Sequence, residues 1–258
     1  MNTNSNTYTI VYTTIVVVLV AAILAFVSQS LKPMQEQNEK AETISQILTA
    51  AQFGEKDHWK EIGNAATVKF FEENIEAGAA VLSTSDLKAL NYKIKAGEQI
   101  DYPIYRFTNG ISVLPIYGAG LWGPVWGYIA VQGDGKTITG AYFDHDSETP
   151  GLGGKIKDDP SFRAQFESKT INFAEPQAAF SIVKGGANGS ANGVDAITGA
   201  TMTSRGLETA IRTWLKAYIE GGAADNCCGG EECCGKGCCG ENCCECTENN
   251  ETEETGNE

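Results

Sequence analysis

Asp195-Ala196-Ile197-Thr198-Gly199-Ala200-Thr201-Met202-Thr203-Ser204 is the stretch on which the reading of this chain turns. A glycine- and asparagine-rich run, 185–193, precedes it, and the residues that follow place apolar side chains at Leu207, Ala210, Ile211, Trp214, Leu215, Tyr218 and Ile219. That spacing predicts a helix with one buried face. Thr201, Thr203 and Ser204 therefore fall at or just before its N-terminus. Unpaired N–H groups and the positive end of the helix dipole favour a phosphate there, and Gly199 lets the backbone approach a ligand closely. Thr203 and Ser204 serve equally well as plain N-caps, so helix physics alone leaves both uses open.

The order of the residues carries more. Asp195-x-x-Thr198-Gly199-Ala200-Thr201 resembles the flavin-attachment motif of the FMN-binding domain family of respiratory flavoproteins. The resemblance implies FMN held covalently, as a phosphoester on Thr201. A neutral threonine is a poor nucleophile, and the family uses a separate Mg-dependent flavin transferase that takes the FMN moiety from FAD. Asp195 would then belong to the sequence that the transferase recognises. Thr198, Gly199, Ala200, Thr203 and Ser204 are carried over as cofactor contacts.

A second motif lies upstream at Glu148-Thr149-Pro150-Gly151-Leu152-Gly153, where a β-type run ends in a turn made by Pro150 and glycines. Such a turn frees backbone groups to face a ligand. The segment is similar to one that lies against FMN in the same family, which implies flavin contacts for Glu148, Thr149, Gly151, Leu152 and Gly153. Gly120-Leu121-Trp122-Gly123 reads either as a tight loop over an aromatic core or as a wall beside a flat ring. It looks like the corresponding element of the C-subunit family of sodium-translocating NADH:quinone reductases, and less like that of the G subunits of Rnf electron-transfer complexes. The likeness implies that Trp122 stands beside the flavin. For His145 a structural hydrogen bond serves as well as proton handling, and His58 reads as solvated; no residue is assigned as catalytic or as a metal ligand.

At the other end of the chain, residues 10–27 are uncharged and mostly apolar. Eighteen residues lie near the lower end of a bilayer span, about 17 to 25. With no Lys or Arg before Lys32, the segment lacks the basic start of a cleaved signal peptide and reads as a retained single-pass anchor. The few nearby lysines, Lys32 and Lys40, lie on its C-terminal side among Glu36, Glu39 and Glu42, which taken alone favours a cytoplasmic body. The family resemblance implies the opposite: an inner-membrane anchor with the flavin domain on the periplasmic side.

Residues 35–53 have helical apolar spacing at Ile44, Ile47, Leu48 and Ala51 and predict a juxtamembrane helix. From Tyr102 short β-type runs at 102–107, 111–117, 125–132 and 137–143 predict strands, with Gly133-Asp134-Gly135 as a hairpin turn. Asp158-Asp159-Pro160 predicts a short helix to Phe166, and 171–173 and 179–183 read as strands leading back to the attachment loop. Beyond Gly221-Gly222 the composition changes: all nine cysteines lie there, and ten acidic residues against Lys236 alone give that segment −9 of the chain's −14. It lacks the apolar residues of a core and is expected to be a disordered tail. Its adjacent Cys-Cys pairs lack the Cys-x-x-Cys framework of a zinc ribbon or ferredoxin-type cluster.

These readings divide the chain into an anchor (1–30), a juxtamembrane helical region (31–100), an FMN-binding domain (101–222) and an acidic Cys-rich tail (223–258). The fold class is α+β, with one transmembrane helix and a twisted, largely antiparallel sheet flanked by helices. FMN is expected in a cleft between the 148–153 loop and the helix that begins near Thr201. The function implied is electron relay within a sodium-translocating NADH:quinone reductase. Its partners are the other subunits, the membrane and, during maturation, the transferase, with no nucleic acid and no dinucleotide loop of its own. An Rnf-type G subunit, or a membrane-tethered metal-binding protein acting through the tail, are the alternatives.

Overall fold

A computed structural model describes residues 6–76 and 80–221. The tail expected to be disordered, with its nine cysteines, lies outside the described residues. The chain opens with a 45-residue helix, α1 (Asn6–Ala50), about 68 Å long at about 1.5 Å per residue. The anchor and the juxtamembrane helix, read separately from the sequence, are thus one continuous helix. It runs through Pro33, whose missing N–H leaves the carbonyl four residues earlier without its usual donor. Side chains along the apolar run are exposed, whereas Ala41, Ile44, Ile47, Leu48, Ala50 and Ala51 are buried in the body.

After α2 (Lys56–Ile62), α3 (Asn64–Asn74) and α4 (Thr84–Ala96) comes an antiparallel sheet in the order β1-β2-β3-β4. Its strands are β1 (Tyr105–Arg106), β2 (Ser112–Ala119), β3 (Pro124–Val131) and β4 (Ile138–His145). Successive side chains on a strand point to opposite faces, and here both faces are covered. Val113, Tyr128, Ala130 and Tyr142 pack against the end of α1 and Phe71 of α3. Leu114, Ile116, Ile129 and Phe143 pack on the other face, against Leu207, Ile211 and Trp214. Double burial explains why the strands read as nearly unbroken apolar runs.

The short helices α5 (Lys155–Asp158) and α6 (Pro160–Ala164) follow, with Asp159 capping α6 through its hydrogen bond from the Ser161 N–H at 2.9 Å. Residues 171–173 do not form the strand expected of them; the adjoining Thr170 makes only an isolated bridge to Thr137. The first expected strand shrinks to β1, because the chain at 102–104 has no ladder partner among the described residues. A small parallel pair, β5 (Ser181–Val183) and β6 (Gly193–Asp195), then delivers the chain to the last helix, α7 (Thr201–Glu220).

Helix α7 lies across β2, and two glycines set how closely. A Cβ on Gly118 would stand 2.6 Å from the Cβ of Ala210, and one on Gly206 would run into the Ala119 carbonyl oxygen. Farther along, the Trp214 indole N–H is shared between the Tyr117 carbonyl (2.9 Å) and Asn91 Oδ1 (3.2 Å). The buried Tyr218 hydroxyl lies 2.9 Å from the Pro103 carbonyl and 3.1 Å from that of Pro115. The N-terminus of α7 is thereby fixed beside the β2–β3 connection. That connection, 118–123, has the glycine spacing of a dinucleotide loop, contrary to the sequence reading. It joins antiparallel neighbours with no helix after it, so the strand-to-helix context such a loop requires is missing.

Candidate functional site

Three segments far apart in sequence meet at the start of α7. The first is the attachment stretch itself. Gly199 adopts φ +82°, a left-handed conformation that glycine takes without steric cost, and the chain turns there into the helix. The Ile197 N–H donates to Ser204 Oγ at 3.1 Å, and the Ala200 N–H to the Ile197 carbonyl at 3.1 Å. The N-cap position belongs to Ala200, which has no side-chain cap. Thr203 and Ser204 are therefore not the plain N-caps that helix physics allowed; both lie inside the first turn and are buried.

Thr201 is different. It is the first residue of α7, half-buried, and its hydroxyl has no partner among the described residues. The first backbone bond of the helix runs from the Ser204 N–H to the Ala200 carbonyl, which leaves the N–H groups of Thr201, Met202 and Thr203 without a partner among the described residues, as at helix starts generally.

The second and third segments are joined to the first by one side chain. Glu148, 4% exposed, accepts from the N–H of Leu121 at 2.7 Å and of Trp122 at 3.0 Å through Oε1. Its Oε2 accepts from the Thr203 hydroxyl at 2.6 Å. Burial pushes this carboxyl's pKa up, but the hydrogen bonds from Thr203, Trp122 and Leu121 outweigh it and hold the group below its ordinary value. Glycines make room for it: a Cβ on Gly120 or Gly153 would run into the carboxylate. The loop and helix are in direct contact at this point.

Around this junction the surface is apolar. Trp122 is 69% exposed, Met202 55%, Leu121 50% and Leu152 45%. Leu152 lies against the attachment loop, its Cδ2 3.0 Å from where a Cβ on Gly199 would stand. Leu121 and Met202 escaped selection from the sequence. The available signal for Met202 was its position off the stripe of buried residues that α7 presents to the sheet.

Not every sequence candidate converges here. Asp195 turns away, its Oδ1 accepting from the Ala187 N–H at 2.6 Å and so closing the glycine-rich loop. Thr149 contributes a carbonyl to the turn, accepting from the N–H groups of Leu152 (3.1 Å) and Gly154 (3.0 Å). Gly151 has φ +75° and open space around it, and Thr198 is exposed. His145 accepts the Glu148 N–H at Nδ1, 3.2 Å away. Among the described residues no cluster of His, Cys, Asp or Glu could hold a metal ion.

Residues 120–216 match the profile of the FMN-binding domain family, and all three segments fall within them. The C subunit of the Na(+)-translocating NADH-quinone reductase of Vibrio vulnificus (strain YJ016) is 42% identical over 117 residues, 43% of this chain and 46% of that protein. The C subunit from Pasteurella multocida (strain Pm70) is 29% identical over 213 residues, 72% of this chain and 80% of that protein. The crystal structure of the C subunit from Parabacteroides distasonis superposes with a TM-score of 0.60 at 29% identity, covering 74% of this chain and 96% of that one. The chain is similar to these C subunits. The Shewanella oneidensis NqrC structure shares the fold, with a TM-score of 0.58 at 24% identity. The aligned region spans about half the length of the Vibrio C subunits, 46% in the Vibrio vulnificus case.

The residues present fit an FMN. Open N–H groups at the start of a helix suit its phosphate, the free Thr201 hydroxyl suits an ester, and the exposed apolar side chains suit one face of a flat aromatic ring.

Proposed function

We propose that this chain is a membrane-anchored flavoprotein subunit that carries FMN as a phosphoester on Thr201 and relays electrons within a sodium-translocating NADH:quinone reductase. The observation that carries the reading is the Thr201 hydroxyl: part-exposed, unpartnered, at the first position of α7 and inside the region that matches the FMN-binding family. Thr203 and Ser204 are buried and hydrogen-bonded. They are therefore poorly placed to take an ester.

Bound FMN would supply reversible electron transfer. The chain's own work is to hold it. The N–H groups of Thr201, Met202 and Thr203 would face the ester phosphate, while Leu121, Trp122, Leu152 and Met202 would cover part of the ring and lower the local polarity. Thr198, Gly199 and Ala200 shape the loop that presents the acceptor, and Asp195 is left on the surface, where a transferase could recognise it. The domain boundaries drawn from the sequence stand as part of this proposal. The periplasmic placement of the domain does too.

The apolar start of α1 is long and hydrophobic enough to cross a bilayer. Residues 28–40 stay exposed between that span and the part of α1 buried in the body, a distance of about 20 Å along a helix. An unbroken helix would hold the flavin domain at a fixed height above the membrane, as placement between fixed redox centres in other subunits requires. Expression with the flavin transferase, followed by in-gel flavin fluorescence, tests the reading. The chain should fluoresce after denaturation, Thr201→Ser should retain the signal and Thr201→Ala should abolish it. Fluorescence that survives in Thr201→Ala would move the acceptor elsewhere.

A further inference from the structure

We propose that Glu148 is a positioning residue for covalent flavin attachment: its carboxylate fixes the 120–122 loop against the first turn of α7 and so presents the Thr201 hydroxyl. The inference rests on the reading of Thr201 as the acceptor. The sequence motif places Glu148 among groups that touch the flavin. The structure gives its oxygens other work.

Both oxygens are engaged inside the protein, with two backbone N–H groups on Oε1 and the Thr203 hydroxyl on Oε2. A carboxylate has about four acceptor sites, so three are taken in a side chain that is 4% exposed. Its own N–H is tied to His145 Nδ1, which fixes where the side chain starts. Among the described residues, no other side-chain hydrogen bond joins 120–122 to α7. The space is shaped around the group as well, since neither Gly120 nor Gly153 could carry a Cβ without meeting it. Thr203, which Glu148 grips, is two residues from Thr201 on the same helical turn.

Truncating Glu148 leaves two part-buried N–H groups and a buried hydroxyl without their acceptor, and they must find others. The first turn of α7 loses its tie to the 120–122 loop, and the backbone that carries Thr201 loses that support. A displacement of about 1 Å at a reacting group can slow a reaction by about a hundredfold. Geometry, not charge, is what the arrangement demands. A glutamine of the same length can turn its carbonyl oxygen to the two N–H groups and its NH2 to Thr203 Oγ1, the Thr203 hydroxyl then accepting instead of donating. Aspartate, one methylene shorter, cannot reach both sets of donors.

The test follows covalent loading of the full-length chain in detergent, with purified flavin transferase, FAD and Mg2+, by intact mass over time. Visible circular dichroism of the attached flavin and far-UV circular dichroism of the protein accompany it. Glu148→Ala and Glu148→Asp should load about a hundredfold more slowly with unchanged helix content, and Glu148→Gln should load close to the unsubstituted rate. Thr203→Val, which removes one bond and keeps the side-chain shape, should fall between; it carries the test should Glu148→Ala fail to fold. Loading of Glu148→Ala at the unsubstituted rate with the same visible spectrum overturns the inference. So does Glu148→Gln loading as slowly as alanine, which would assign the effect to charge. An unsubstituted chain that takes up no flavin overturns the Thr201 reading and this inference with it.

Discussion

Replacing Gly206 by alanine sets two effects against each other, and the structure decides which wins. Gly206 lies inside α7, where alanine is favoured over glycine by about 0.5–1 kcal/mol through backbone entropy. The added Cβ, however, would run into the Ala119 carbonyl oxygen and stand 3.1 Å from the Gly120 Cα. Both are backbone atoms, one at the end of β2 and one in the connection that follows it, so neither can rotate aside, and the helix must lift from β2 while Trp214 and Tyr218 hold its far end. Overpacking of this kind costs about 1–3 kcal/mol, leaving a net loss of about 0–2.5 kcal/mol after the helix gain. For a body of this size that is a fall in Tm of up to roughly 10 °C. Thermal unfolding of the full-length chain in detergent, followed by far-UV circular dichroism, measures it. Thr209→Ala, at an exposed position of the same helix, is the control and should change Tm little. A Gly206→Ala chain more stable than the unsubstituted one would refute the close approach of α7 to β2 and with it the placement of Thr201.

Glu148 should leave a mark on acid stability. Its folded pKa lies below the ordinary value, so its contribution is complete above the unfolded carboxylate range, about pH 4–5, and is lost as pH falls through the depressed folded value. Urea unfolding at a series of pH values should show a shallower acid limb in Glu148→Gln than in the unsubstituted chain; identical slopes would remove the group from the account. Trp214→Phe should cost about 1–3 kcal/mol by urea unfolding, because the Tyr117 carbonyl and Asn91 both lose their donor. A cost near zero would mean that water replaces the indole. Asp144, 3% exposed, accepts from Gln46 Nε2 at 2.9 Å and pairs with Lys157 at 2.7 Å, tying α1 to β4. Asp144→Ala should destabilise the body by about 1–3 kcal/mol and increase protease cutting after α1, and an unchanged digestion pattern would count against that tie.

The parts legible in the sequence were those with a period or a fixed chemical order. The apolar face of α7 stands out from Leu207 to Tyr218 because each buried residue recurs on one side. The β2, β3 and β4 runs are long and apolar because helices cover both faces of their sheet. The Thr-Gly-Ala-Thr string was legible as order, and Gly199 with its positive φ supplies the local reason for one of its residues. The continuity of α1 was not legible, since Pro33 and the change from apolar to polar composition both argue for a break that the packing of Ile44, Ile47 and Leu48 overrides. Nor was the role of Glu148, whose partners lie 26, 27 and 55 residues away in sequence. No local pattern records a hydrogen bond across that separation, and the residue reads as a flavin contact until the fold brings its partners in.

The central claim concerns one oxygen atom, and peptide mass mapping of the chain matured with its transferase addresses it directly. The peptide holding Asp195 to Ser204 should carry one FMN, joined with loss of water, and fragmentation should place it on Thr201. An unmodified peptide, or a flavin located on Thr198 or Thr203, would contradict the account.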